Sequence, residues 1–101
     1  MKYVTKSTEV EALNGVVVID FWAEWCGPCK MLAPTYEAVA EKLADVATFC
    51  KANVDEAHDF AVEYGVSAIP TVVVLKDGAE VARKIGLVNA EALESLVKNA
   101  L

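Results

Sequence analysis

Apolar residues fall along this chain in two rhythms. Val16-Val17-Val18-Ile19, continued by Phe21 and Trp22 after Asp20, does not alternate with polar positions. A run of this kind reads as a strand buried on both faces. Residues 46–54 repeat it with Lys51 inside, and residues 71–75 form a third, β-branched run. Between the first two, residues 31–43 carry apolar positions at helical spacing and predict a helix reaching about Ala44. Pro28 suits its first turn, whereas Pro34 should bend it.

The remaining elements follow from local signals. Residues 2–5 read as a short edge strand. Thr8 and Glu11 have capping-box spacing for a short helix that Asn14-Gly15 closes. Asp55 is placed to cap a helix over residues 56–64, which Gly65 ends. Asp77-Gly78 is a two-residue hairpin signal, with residues 80–85 as the return strand. Asn89 caps a last helix whose apolar face is Leu93, Leu96, Val97 and Leu101. The order β-α-β-α-β-α-β-β-α predicts one α/β domain over residues 1–101. Its sheet should be mixed and five-stranded, flanked by four helices on both faces.

Composition narrows the function classes. The chain is 101 residues long and 55% hydrophobic, enough for one dense core. A net charge of −6 argues against nucleic acid as a partner, which wants clustered basic residues. No apolar run approaches the ~18 residues of a membrane span, so no membrane partner is expected. The first residues lack the apolar stretch of a secretory signal. Three cysteines suit a reducing cytoplasm, where a disulfide is transient and catalytic.

Candidate chemistry sits at Trp25-Cys26-Gly27-Pro28-Cys29-Lys30, where the first buried strand hands over to a helix. Unpaired N–H groups and the helix dipole favour a thiolate there, so Cys26 should be the better nucleophile. Residues three apart share a helix face, and the two sulfurs can therefore meet. Half of a zinc site is the bland alternative, but only Cys50 and His58 remain as ligands and neither lies in a paired motif. A structural staple is disfavoured because so short a loop stabilises little. Asp20 interrupts a buried strand, and a carboxylate there is costly unless paired, hydrogen-bonded or neutral. Cys50 reads as a buried, inert thiol, and His58 as a solvated surface residue.

The ordered run from Asp20 to Lys30 resembles the active-site signature of the thioredoxin family along its whole length. Pro34, Asn53-Val54-Asp55, Tyr64-Gly65-Val66, Ile69-Pro70-Thr71, Asp77-Gly78 and Gly86 resemble further family positions, from about residue 7 to the C-terminus. The resemblance implies a thioredoxin fold and a protein-disulfide reductase with no bound cofactor, its two electrons carried by a redox-active Cys26–Cys29 disulfide. It implies Cys26 as nucleophile, Cys29 as resolving thiol and Asp20 as buried base for Cys29. Lys51 would tune Asp20, or else run its stem over the core to water. Gly27 and Pro28 would set the redox character, Gly-Pro marking reducing members; an oxidase or isomerase more often carries histidine there. Trp25, Ile69, a cis Pro70 and Gly86 would dock the target. Leu87 is bulkier than the family pattern and should narrow that groove. The implied partners of this monomer are a thioredoxin reductase and disulfide-containing proteins docked as extended peptides. A non-redox docking subunit using the same apolar surface is the alternative from a different class.

Overall fold

The strand β2 (Val16–Trp22) lies at the centre of a five-stranded sheet with order β1-β3-β2-β4-β5. The computed structural model describes residues 1–101. The other elements are β1 (Lys2–Tyr3), α1 (Ser7–Glu11), α2 (Gly27–Lys42), β3 (Ala47–Asn53), α3 (His58–Glu63), β4 (Thr71–Lys76), β5 (Ala79–Ile85) and α4 (Ala90–Lys98). β1 and β2 both pair with β3 in parallel, whereas β4 is antiparallel to β2 and β5. The sheet is therefore mixed, as the element order implies.

β2 is buried from Val16 to Phe21 because helices cover both of its faces. Its side chains alternate between two cores. Val17, Ile19 and Phe21 pack with Val10 of α1 and Phe60 and Ala61 of α3. Val16 and Val18 pack with Leu32, Tyr36 and Val39 of α2 and Leu93 and Val97 of α4. Asp20 falls on this second face, under the helix that carries the cysteines. α2 runs on through Pro34, whose missing N–H leaves the carbonyl of Lys30 without its helical partner.

The Asp77-Gly78 turn has both residues at positive φ, 50° and 88°, the backbone of a type I′ hairpin. Glycine is required for a second reason at position 78: an added Cβ would lie 3.0 Å from the Glu11 carbonyl oxygen. Asn89 caps α4 as expected, accepting from the Ala92 N–H at 2.8 Å.

Three local expectations are corrected. Glu9, not the Thr8/Glu11 pair, caps α1: its carboxylate accepts from the Thr5 and Lys6 N–H groups, both at 3.0 Å. Glu11 instead accepts from the Tyr64 hydroxyl. Asp55 does not cap α3, which begins at His58 after Ala57; its carboxylate faces the indole of Trp25. Leu101 lies beyond the end of α4 and is exposed, and Ala100 takes the buried position.

Candidate active site

Cys26 is the N-cap of α2, one turn beyond the carboxyl end of β2. Its sulfur accepts from the Cys29 backbone N–H at 3.2 Å, a donor the helix cannot use internally. Cys26 and Cys29 form a disulfide across a Cα separation of 5.2 Å. Both are buried, Cys26 at 6% exposure and Cys29 at 2%, so the first is only marginally the more open. The residues flanking Cys26 in the chain, Trp25, Gly27 and Pro28, are all exposed.

Opposite the sulfurs runs the loop into β4. The Ile69–Pro70 peptide bond is cis, and the Ile69 carbonyl lies 3.8 Å from Cys26 Sγ. Its neighbours are tied down. The Thr71 hydroxyl donates to the Ala68 carbonyl at 2.6 Å, and the Gly86 N–H donates to the Pro70 carbonyl at 2.8 Å. Gly86 holds φ at 89°, and Leu87 after it is about half exposed. Trp25, Val54, Val62, Val66 and Ile69 line a cavity of about 240 Å³ beside the loop. The Trp25 indole N–H donates to Asp55 at 2.9 Å, fixing the most exposed aromatic ring of the chain.

On β2, two residues before Trp22, Asp20 is fully buried and neither carboxylate oxygen has a hydrogen-bond partner. Burial pushes its pKa up to about 7, although the Lys51 charge pulls the other way. Lys51, also buried, does not reach ion-pair distance of Asp20. Its ammonium sits 4.6 Å above the centre of the Trp22 ring. Trp22 thus packs beneath the site. Cys50 is buried on the other face of β3, and desolvation raises its thiol to about 11. No group of three or more His, Cys, Asp or Glu side chains is arranged to hold a metal ion.

The structure thus sets Cys26, Cys29, Trp25, Gly27 and Pro28 at the start of α2, brings Ile69 against Cys26 with Pro70 beside it and Gly86 bonded to Pro70, and places Asp20 and Lys51 opposite each other on β2 and β3. Two supporting residues escaped the sequence reading. Asp55 reads as a helix cap from its position alone, yet Asn53-Val54-Asp55 forms a side-chain turn, with Asn53 accepting from the Asp55 N–H at 3.0 Å. Thr71 carries no signal beyond its place after Pro70.

A cysteine pair that closes across the first turn of a helix can open and close without unwinding it. That property puts the protein among the thiol–disulfide oxidoreductases. The Thioredoxin family profile matches residues 3–99, and the chain belongs to this family. It is 45% identical over its whole length to a thioredoxin of Bacillus subtilis, covering 97% of that protein. It is 49% identical over 84 residues to one of Chlamydia trachomatis, covering 83% of this chain and 81% of that one. Among solved structures, the oxidised mitochondrial thioredoxin 3 of Saccharomyces cerevisiae superposes with a TM-score of 0.88 at 40% identity, covering 98% and 94% of the two chains. A variant thioredoxin of Halobacterium salinarum gives 0.90 at 40% identity, covering 98% of this chain and 88% of that one. The mixed five-stranded sheet with four helices is accordingly a thioredoxin fold.

Proposed function

We propose that the protein reduces disulfides in other proteins at Cys26-Gly27-Pro28-Cys29 and is itself re-reduced by a thioredoxin reductase. The observation that carries this reading is the Cys26–Cys29 disulfide at the start of α2, with the Cys29 N–H directed at Cys26 Sγ. In the dithiol state that N–H and the helix dipole stabilise a thiolate on Cys26. The thiolate attacks one sulfur of the target disulfide; a Cys26–target bond forms, and the other target sulfur leaves as a thiolate. Cys29 then gives up its proton and attacks Cys26 Sγ. The Cys26–Cys29 bond forms, the mixed disulfide breaks, and the second target sulfur leaves. Two electrons pass to the target.

Asp20 is the base for the Cys29 proton. A carboxylate held near neutral pH is matched to a proton transfer at that pH. Lys51 acts on it through its charge rather than by direct pairing. Ile69, next to the cis Pro70, has no internal backbone hydrogen bond and offers both groups to an extended target strand. Trp25, Gly27, Pro28 and Gly86 complete the apolar surface around it. The protein works as a monomer in the cytoplasm, where its low cysteine count fits the reducing conditions; no helix is long and apolar enough to cross a membrane.

The deciding experiment is the midpoint potential of the Cys26–Cys29 couple, read from the fluorescence of Trp22 and Trp25 in defined thiol/disulfide buffers. A disulfide reductase should lie below the glutathione poise of about −220 to −260 mV. A markedly higher value would make the protein an oxidase or isomerase, and no reversible transition would leave a docking module.

A further inference from the structure

The single arginine of the chain plays no part in the exchange chemistry, yet it is the best-bonded side chain on β5. Arg83 Nε and Nη2 grip Glu80 as a fork, at 2.7 and 2.8 Å. The same Nη2 donates at 2.6 Å to the carbonyl of Tyr64, the C-cap of α3. A guanidinium satisfies a helix-end carbonyl both as a donor and as a charge against the negative end of the dipole. From the other side the Tyr64 hydroxyl donates to Glu11 of α1, and its ring packs edge-on to Phe60 with centroids 5.0 Å apart.

Tyr64 opens the segment that ends at the cis Pro70. Three residues past Arg83, just beyond the end of the same edge strand, the Gly86 N–H holds the Pro70 carbonyl at 2.8 Å. β5 and the residue that follows it therefore grip both ends of the segment that carries Ile69. Between the grips the chain is pinned by Gly65 N–H to Val62, Val66 N–H to Ala61, and the Thr71 hydroxyl to Ala68.

We infer that Arg83 is a positioning residue, which by anchoring Tyr64 to β5 fixes where the Ile69 backbone stands relative to Cys26 when a protein target docks. The inference rests on the disulfide-reductase reading above. Placement errors far from the reacting atoms are expensive, since binding energy must then restore the geometry. Lysine is no substitute, because it cannot hold Glu80 in a fork and Tyr64 with the same group.

The test compares wild type with Arg83→Met on two substrates: a folded protein disulfide and a small aromatic disulfide too short to pair with Ile69. Wild type must reduce both; failure with the protein target alone would defeat the functional reading, not this inference. For Arg83→Met, KM for the protein target should rise about fivefold or more with kcat within about twofold. The rate with the small disulfide and the midpoint potential should stay at wild-type values. Amide exchange of Val66 should quicken. If Met destabilises the fold too far, Glu80→Gln frees one side of the fork and should give the same KM-only defect, smaller in size. Equal losses on both substrates, or lower thermal stability with KM unchanged, would reduce Arg83 to a structural brace and overturn the inference.

Discussion

Asp20 and Lys51 stand opposite each other in the β2–β3 ladder, and no ion pair joins them. The carboxylate keeps both oxygens unpartnered in the core, and the ammonium turns to the Trp22 ring instead. A full ion pair would hold Asp20 ionised well below neutral pH. An isolated buried carboxylate would stay protonated well above it. The offset leaves burial ahead of the Lys51 charge, with a pKa of about 7.

Stability should record that balance. Burial raises the folded value from the ordinary 3.8 to about 7, so between those pH values the folded chain keeps a proton that the unfolded chain has released. The oxidised protein should therefore lose stability as pH rises through this window and level out above it, by about 4 kcal/mol at most. Asp20→Asn should flatten the profile and exceed wild type in denaturant resistance at pH 8. Urea titrations at pH 5, 6, 7 and 8 read this directly. A parallel profile in the variant would show that Asp20 is not the titrating group.

The same variant separates the two chemical steps. Attack by Cys26 on a target should proceed at nearly the wild-type rate at pH 7, since the role proposed for Asp20 is at the other sulfur. Resolution by Cys29 should slow by about a hundredfold, the lower range of general-base contributions. Rapid quenching with acid, followed by mass analysis, would show the mixed disulfide building up before release. Cys29→Ser should halt the reaction at that adduct, and Cys26→Ser should form none.

Much of this arrangement was legible in the sequence because single residue types carried it. Non-alternating valines announced a doubly covered strand, Asp77-Gly78 announced a turn with two positive φ values, and Cys26 with Cys29 announced a pair on one helix face. The Asp55 reading failed because a carboxylate before a helix has two outlets, the helix N–H groups or a neighbour brought in by the fold. Trp25 lies thirty positions away in sequence, and only the folded loop puts its indole within reach. The capping of α1 failed for a similar reason: Glu9 and Glu11 sit two residues apart, and only the folded backbone decides which carboxylate turns back and which meets Tyr64. Arg83 carried no signal in the sequence, because one of its two partners, the Tyr64 carbonyl, is backbone and leaves no mark in composition.

Cys50 should be silent toward alkylation. It is buried at 0% exposure among apolar side chains, and its thiol is raised to about 11. With Cys26–Cys29 oxidised, iodoacetamide at pH 8 should add nothing to the native protein and one group after denaturation, as counted by mass spectrometry. Rapid native labelling would mean that β3 opens readily, giving Cys50 a regulatory part to play.

Tyr36 offers the last test, one of how α2 is seated on the sheet. Its ring is fully buried against Phe49, and its hydroxyl reaches the Cys50 carbonyl at 2.6 Å and the Val18 carbonyl at 3.1 Å. One phenol thus bridges β2 and β3 from the helix that bears the cysteines. Tyr36→Phe keeps the ring and removes the bridge. Both carbonyls belong to strands that are paired in the sheet, so the loss should be that of a buried donor, about 1 to 2 kcal/mol, and not that of orphaned acceptors. The urea midpoint of the oxidised protein should fall by that amount with an unchanged slope. If the hydroxyl also steadies the seat of α2, amide exchange at Cys29 and Leu32 should quicken as well. A change confined to the far end of α2 would show that the bridge holds the sheet, and that the cysteines are held by their own turn.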